Sequence, residues 1–266
     1  MPAAPIDTAR FFNRDARVVA ADLLGKLLCH CVQDLWLCAV VIEAEAYLLE
    51  ERASHASLGY TEKRRALFMA PGTIYMYYAR GGDSFNVSCR GEGNAVLVKA
   101  ALPLPLHPAG AQAGSGPPLR AQAEPMLRAM RARNPLPGDR PRPDARLCGG
   151  QTLLCRALGL KVGEWDARPF DGQRLTLMDT GYRPRATIRT TRLGIPAGRD
   201  EHLPYRFVDY DHARHCTRNP LAGRNGTGAA YVDIIPNPDP HVPALDAEAA
   251  AGPPAAPRGV AIPPLE

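Results

Sequence analysis

No stretch of this 266-residue chain approaches the ~20 consecutive apolar residues that a membrane-spanning helix needs. Its start, MPAAPIDTARFFNRDARV, lacks the apolar run of a secretion signal. Seven cysteines are present, none in a CxxC pair, and Cys29-His30-Cys31 is too tight for a usual zinc knuckle. No internal repeat is found. These absences argue against a membrane helix, a zinc site and a repeat array. They leave an expectation of reduced thiols in a cytoplasmic protein. The composition, 45% hydrophobic, is sufficient for a substantial core.

Net charge is only +5, but it is unevenly spread. Residues 61–139 carry 10 Lys and Arg against 5 Asp and Glu, and residues 140–224 carry 16 against 9. The middle is therefore +12 while the two ends together are −7. Most of the basic charge is arginine, whose fork matches phosphate. A polyanionic partner such as nucleic acid fits this pattern, and so does plain arginine use from a GC-rich genome.

The apolar pattern predicts a helix over RVVAADLLGKLL (17–28). LLCHCV and LWLCAVVIEAEAY read as strands joined by a tight turn at Gln33-Asp34. Further strands are expected in APGTIYMYY, SFNVSC, AVLVKAAL, RATIRTTRLGI (185–195) and PYRFVDY (204–210). Helices are expected in AEPMLRAMRAR (123–133) and GGQTLLCRALGL (149–160). Residues 1–8 read as a flexible N-terminus, and about 102–122 as a Pro/Ala/Gly-rich surface loop. Residues 237–266 read as a disordered acidic Pro/Ala-rich tail. The remaining span, 9–236, reads as one domain.

VVIEAEAYL (40–48) poses the chemical question. Alternate residues of a strand share a face, so Glu43, Glu45 and Tyr47 point the same way. Two like charges this close should raise one pKa, which would suit acid/base chemistry. A solvated strand face is the plainer alternative.

Together, EAEAY, the following His55, FMAPGTIYMY, FNVS, AVLVKAALPL, LCGGQTLLCRALGL, RLGI and LPYRF form a pattern that resembles the alkyladenine (3-methyladenine) DNA glycosylases. The resemblance runs from about Phe11 to Asn219. It implies a mixed α/β (α+β) single domain, with a curved, mainly antiparallel sheet and surrounding helices. It also implies a monomeric, monofunctional base-excision repair enzyme acting on damaged double-stranded DNA, with no cofactor and no metal. Such an enzyme flips an alkylated purine into a pocket and hydrolyses its N-glycosidic bond. By resemblance Glu45 activates the water, with Lys99 as a nearby cation. Tyr47, His55 and Tyr77 sandwich the base, and Asn86 crowds the amino group of normal guanine. A cytoplasmic location, on the nucleoid in a bacterial cell, follows.

Two departures stand out. Lys99 takes the place of the family's usual arginine and loses its fork. YMYYARGGDSFN is one residue shorter than the family pattern, which puts Arg80 closest to the wedge position, with Ala79 or Gly81 as alternatives. Lys63, Arg64 and Arg65 are the other expected DNA contacts. Two competing readings remain. A non-catalytic nucleic-acid-binding protein is one, although a carboxylate on its binding face would repel phosphate. A glycoside hydrolase using Glu43 and Glu45, about 6.5–7 Å apart at ~3.3 Å per residue, is the other.

Overall fold

The computed structural model describes residues 3–79, 81–109, 122–222 and 232–237. Among these the strands are β1 (Ala4–Pro5), β2 (Lys26–Val32), β3 (Leu35–Tyr47), β4 (Ile74–Ala79), β5 (Gly82–Ser88), β6 (Ala95–Pro103), β7 (Leu175–Asp179), β8 (Ala186–Thr190), β9 (Arg206–Asp209) and β10 (Val232–Pro236). The α-helices are α1 (Thr8–Phe12), α2 (Ala16–Asp22), α3 (Ala123–Arg133), α4 (Gln151–Leu158) and α5 (Val162–Trp165). All strand pairs are antiparallel and belong to one sheet, so the architecture is mixed α/β, as the sequence leads one to expect.

The sheet is organised around β3. One of its edges pairs with β6 over most of its length. The other edge is shared, with β2 on residues 35–40 and β9 on residues 43–45. The order β1-β7-β2-β3-β6-β5-β4 therefore branches at β3, where β9 joins and carries β8 and β10. Gln33 and Asp34 both have positive φ, 49° and 62°, which gives the two-residue turn that matches strand twist. Residues of α2, α3 and α4, including Val19, Met126, Met130, Leu154 and Leu158, join Ala39, Val41 and Val98 in the main core. A second cluster gathers Ile42, Ala100, Leu102, Ile188 and Val208.

The register between β3 and β6 shifts twice, between Val41 and Glu43 and between Glu43 and Ala44. Ile42 and Lys99 thereby lack a directly opposed Cα partner. Such irregularities re-aim side chains and are common beside active sites. This one sits beside both glutamates.

Several expectations need correction. The helix expected over 17–28 ends at Asp22, because Gly25 (φ +82°) donates its N–H to Val41 O at 2.9 Å and turns the chain into β2. A Cβ at Gly25 would lie 2.8 Å from the Tyr182 ring. Cys29 and Cys38, opposed across β2 and β3, form a disulfide, whereas all seven thiols were expected to be reduced. The odd count and missing CxxC conceal a pair that only the hairpin register brings together. The strand expected over 185–195 is shortened to Ala186–Thr190. β7 and β10 have no counterpart in the sequence reading, and Ala4–Pro5, in the segment read as flexible, pairs with β7. Of the Pro/Ala/Gly-rich loop, β6 takes the first residues and 110–121 lie outside the described residues, as do 238–266.

β10 pairs with β8 over five positions, and Asn237 then donates its N–H to Arg185 O (3.0 Å) and its amide to Pro184 O (2.9 Å). A chain ending at Asn237 should melt within about 2 °C of the full chain, the shift expected for well under 1 kcal/mol in a domain this size. A chain ending before Val232 should melt at least about 5 °C lower. Differential scanning calorimetry on the two truncations checks both outcomes.

Candidate active site

Glu45 lies on the inner stretch of β3 and is 0% exposed. Its partners come from three other places in the chain. The Tyr47 hydroxyl, two residues along the strand, donates to Oε2 at 2.8 Å. Lys99 Nζ, from β6, lies 3.4 Å from the same oxygen. The backbone N–H of Leu193, from the segment after β8, donates to Oε1 at 3.3 Å. Burial pulls the Glu45 pKa up, but Lys99, the Tyr47 hydroxyl, Arg206 and the Leu193 N–H together outweigh it and hold the carboxyl below its ordinary value. The group is a carboxylate at neutral pH.

Glu43 shares the strand but has different partners. Arg206 Nε donates to its Oε1 at 2.6 Å, and the Thr217 N–H donates to its Oε2 at 2.8 Å. The Arg206 Nη2 group also donates to Arg218 O at 2.6 Å. The raised pKa expected from two neighbouring carboxylates is not the outcome for Glu45, because each carboxylate has its own cation. Glu43 is engaged in a buried ion pair and has no oxygen free of such contacts, so the two do not form a free acid/base pair.

The aromatic residues converge on the same region. A row of opposed residues crosses the sheet: Tyr75 faces Asn86, Asn86 faces Leu97, Leu97 faces Glu45, and Glu45 faces Arg206. Directly opposed residues share a face. His55 Nδ1 lies 3.0 Å from the Tyr75 hydroxyl, and the His55 ring is 4.6 Å from the Tyr77 ring centroid to centroid. Burial, with the Arg64 and Arg199 cations adding, lowers the His55 pKa and leaves the ring neutral at pH 7. Tyr47 and Tyr77 are near enough to interact electrostatically. The Asn86 Nδ2 group donates to Tyr75 O at 3.1 Å, which fixes the orientation of its amide. Glu45, Lys99, Tyr47, His55, Tyr77 and Asn86 are thus brought together.

The expected DNA contacts are more dispersed. Lys63, Arg64 and Arg65 lie on the 3-10 segment Glu62–Phe68. Lys63 is exposed and Arg65 pairs with Glu62 at 3.3 Å. Arg64 is half-buried and donates to Leu58 O at 3.2 Å, with its charge turned toward His55 and Tyr75. Ala79 ends β4 and pairs with Gly82, and Gly81 has φ +80°. Arg80 lies outside the described residues.

Sequence reasoning gave no role to Arg192, Leu193 or Arg206, although RLGI and LPYRF contain all three. It also passed over Tyr78, which is 68% exposed near the β4–β5 turn. His107, Asp209 and His212 form a separate buried group with candidate ligand atoms within 4.8 Å of one another. His107 Nδ1 accepts the Ala109 N–H at 3.0 Å, so the neutral ring carries its proton on Nε2 and lacks the lone pair a metal needs there. The sequence reading named none of these three residues.

The model of the family described as Methylpurine-DNA glycosylase (MPG) matches residues 10–213. A provisionally named 3-methyladenine DNA glycosylase of Pseudomonas savastanoi pv. phaseolicola is 57% identical over 232 residues, covering 87% of this chain and 97% of that protein. A protein of the same provisional name from Pseudomonas aeruginosa (strain LESB58) is 54% identical over 234 residues, covering 87% and 91%. One from Rubrobacter xylanophilus is 31% identical over 196 residues, covering 70% and 85%. The chain belongs to the methylpurine-DNA glycosylase family. It is accordingly a DNA glycosylase, a hydrolase of base-excision repair. Among the described residues, no helix is long and apolar enough to cross a membrane.

The two carboxylates should separate cleanly in stability. Glu43→Gln leaves Arg206 buried without its counter-charge, at about 3 kcal/mol or more. At ~2–4 °C per kcal/mol this lowers Tm by on the order of 10 °C. A Tm within about 2 °C of wild type would show that the Glu43–Arg206 pair carries little stability.

Proposed function

We propose that this chain excises 3-methyladenine and related alkylated purines from double-stranded DNA by flipping the nucleotide and activating a water at Glu45. The observation that carries the reading is a fully buried glutamate that stays ionised. A carboxylate has roughly four acceptor sites. The Tyr47 hydroxyl and Lys99 take those of Oε2, and the Leu193 N–H takes one on Oε1. What remains on Oε1 suits one water. As the glycosidic bond lengthens, positive charge develops on the sugar, and the carboxylate both orients that water and accepts its proton.

Tyr47, His55 and Tyr77 would stack on the flipped base, whose electron-poor alkylated ring favours electron-rich faces. A neutral His55 suits this role, because a cation there would repel a positively charged purine. Asn86, pinned by Tyr75 O, would then crowd the amino group of an unmodified guanine. Lys99 is committed to Glu45, so its amine is a poor lyase nucleophile, and the reaction is pure hydrolysis. The glycosylase unit spans about 9–236 and works as a monomer.

For DNA binding, Lys63, Arg64, Arg65 and Arg80 would contact phosphate or fill the gap left by the flipped base. Tyr78 joins them on the strength of its exposure beside the β4–β5 turn. Excision by Arg80→Ala should fall more on duplex lesions than on single strands, where no gap has to be filled. Equal losses on both would make Arg80 an ordinary phosphate contact.

The decisive assay compares base release from methylated duplex DNA. Glu45→Gln should bind that DNA with near wild-type affinity and release base at least ~10²-fold more slowly, the lower range for loss of a general base. Release within a few-fold of wild type would overturn the assignment. Binding should weaken steeply with salt, as phosphate contacts release counterions. A flat log Kd against log salt plot would remove the electrostatic part of the reading.

A further inference from the structure

Arg192 is the least expected charge in the protein. Its side chain is 0% exposed. The guanidinium carbon lies 4.6 Å from the Tyr47 ring centroid and 5.5 Å from that of Tyr205. Nη1 donates to Ala46 O at 2.8 Å and lies 2.5 Å from Glu51 Oε2. Nε and Nη2 find no acceptor among the described residues. Leaving buried donors unpaired is costly, and the Glu51 carboxylate meets only the Nη1 end of the group. A guanidinium that gives up two hydrogen bonds for ring contacts is there for the ring it touches.

That ring belongs to Tyr47, whose hydroxyl donates to Glu45 Oε2 at 2.8 Å. The residue after Arg192 is Leu193, whose N–H donates to Glu45 Oε1 at 3.3 Å. One anchored residue thus bears on both oxygens of the carboxylate, through its side chain on one and through its backbone on the other. The anchor is itself fixed. Glu51 accepts the Leu48 N–H at 3.1 Å just beyond the end of β3, and the Ala46 N–H donates to Tyr205 O at 2.8 Å. A lysine in this position could bring one nitrogen to Glu51 and the carbonyl but has no planar group to lie against the Tyr47 and Tyr205 rings.

We propose that Arg192 is a positioning residue for Glu45, clamping Tyr47 and the Leu193 N–H so that both oxygens of the carboxylate stay hydrogen-bonded while it holds the water. The proposal rests on the reading of Glu45 as the general base. Glu45 is also faced by Glu43 and Tyr47 of β3, Lys99 of β6 and Arg206 of β9, and none of these is altered by the test.

The test is single-turnover excision from methylated duplex DNA as a function of pH, with the full-length chain, for wild type, Arg192→Met, Arg192→Lys, Glu51→Gln and Glu45→Gln. With the clamp removed, hydrogen bonds to the ionised form weaken and the carboxyl protonates more easily. The acid limb of Arg192→Met should move up by about one pH unit, the equivalent of one hydrogen bond to a charged group, and its plateau rate should fall about tenfold or more. Arg192→Lys should recover only part of either change. Glu51→Gln, which keeps Arg192 but loosens its anchor, should move the limb the same way by less. A lowered Tm with an unmoved acid limb in Arg192→Met would make Arg192 a packing residue and overturn the proposal. Should Arg192→Met fail to fold, Glu51→Gln decides, and an unmoved limb there overturns it equally. Glu45→Gln separates the two levels. If it excises at the wild-type rate, the reading of Glu45 fails and the clamp fails with it. If it is inactive while the limbs of the other variants do not move, only the clamp fails.

Discussion

The ion pair between Glu45 and Lys99 is the constraint on which the rest of the site depends. A carboxylate removed from water is unstable by several kcal/mol unless charge and hydrogen bonds are supplied around it. Here they come from β3 itself, from β6 and from the loop after β8. That requirement explains features that look unrelated. The double register shift between β3 and β6 falls at Glu43 and Lys99, where the two strands must present charges rather than apolar side chains. The branching of the sheet at residues 43–45 brings β9 alongside, and with it Arg206 for the second carboxylate.

The same pairing divides labour between the two glutamates. Glu43 is enclosed by Arg206 and the Thr217 N–H and ties the branch strand to the main sheet. Glu45 keeps an acceptor site on Oε1 and stands in the row of opposed residues that runs from Arg206 through Leu97 and Asn86 to Tyr75. Its lowered pKa has a linkage consequence. A depressed carboxyl contributes stability that is present above its unfolded value and is lost as pH falls through the folded one. Tolerance of mild acid therefore follows from the same contacts that keep the buried carboxylate charged.

Much of this was legible in the sequence where the signal is local. LWLCAVVIEAEAY is the strand Leu35–Tyr47, and AEPMLRAMRAR is the helix Ala123–Arg133, because periodicity and turn chemistry act over a few residues. Glu45, Tyr47, His55, Tyr77 and Asn86 were found through motif order, and they do converge. What was hidden depends on distant pairing. Arg192 and Arg206 reach β3 from about 150 residues away, and nothing in RLGI or LPYRF says which of their side chains turns inward. Glu45 is held below its ordinary value, and the sequence showed the two charges but not the counter-charges that do this. β10 was missed because five residues flanked by Pro and Gly look like linker until an edge of β8 is there to receive them.

The central claim is that Glu45 is a buried carboxylate kept ionised chiefly by Lys99. The most direct measurement is the side-chain carboxyl pKa of Glu45, followed by carbon-13 NMR in the wild-type protein and in Lys99→Met. The account predicts a midpoint below the 4.5 of an ordinary glutamate in wild type and an upward shift in Lys99→Met. A wild-type midpoint above 4.5, or one that does not move when Lys99 is replaced, would contradict it.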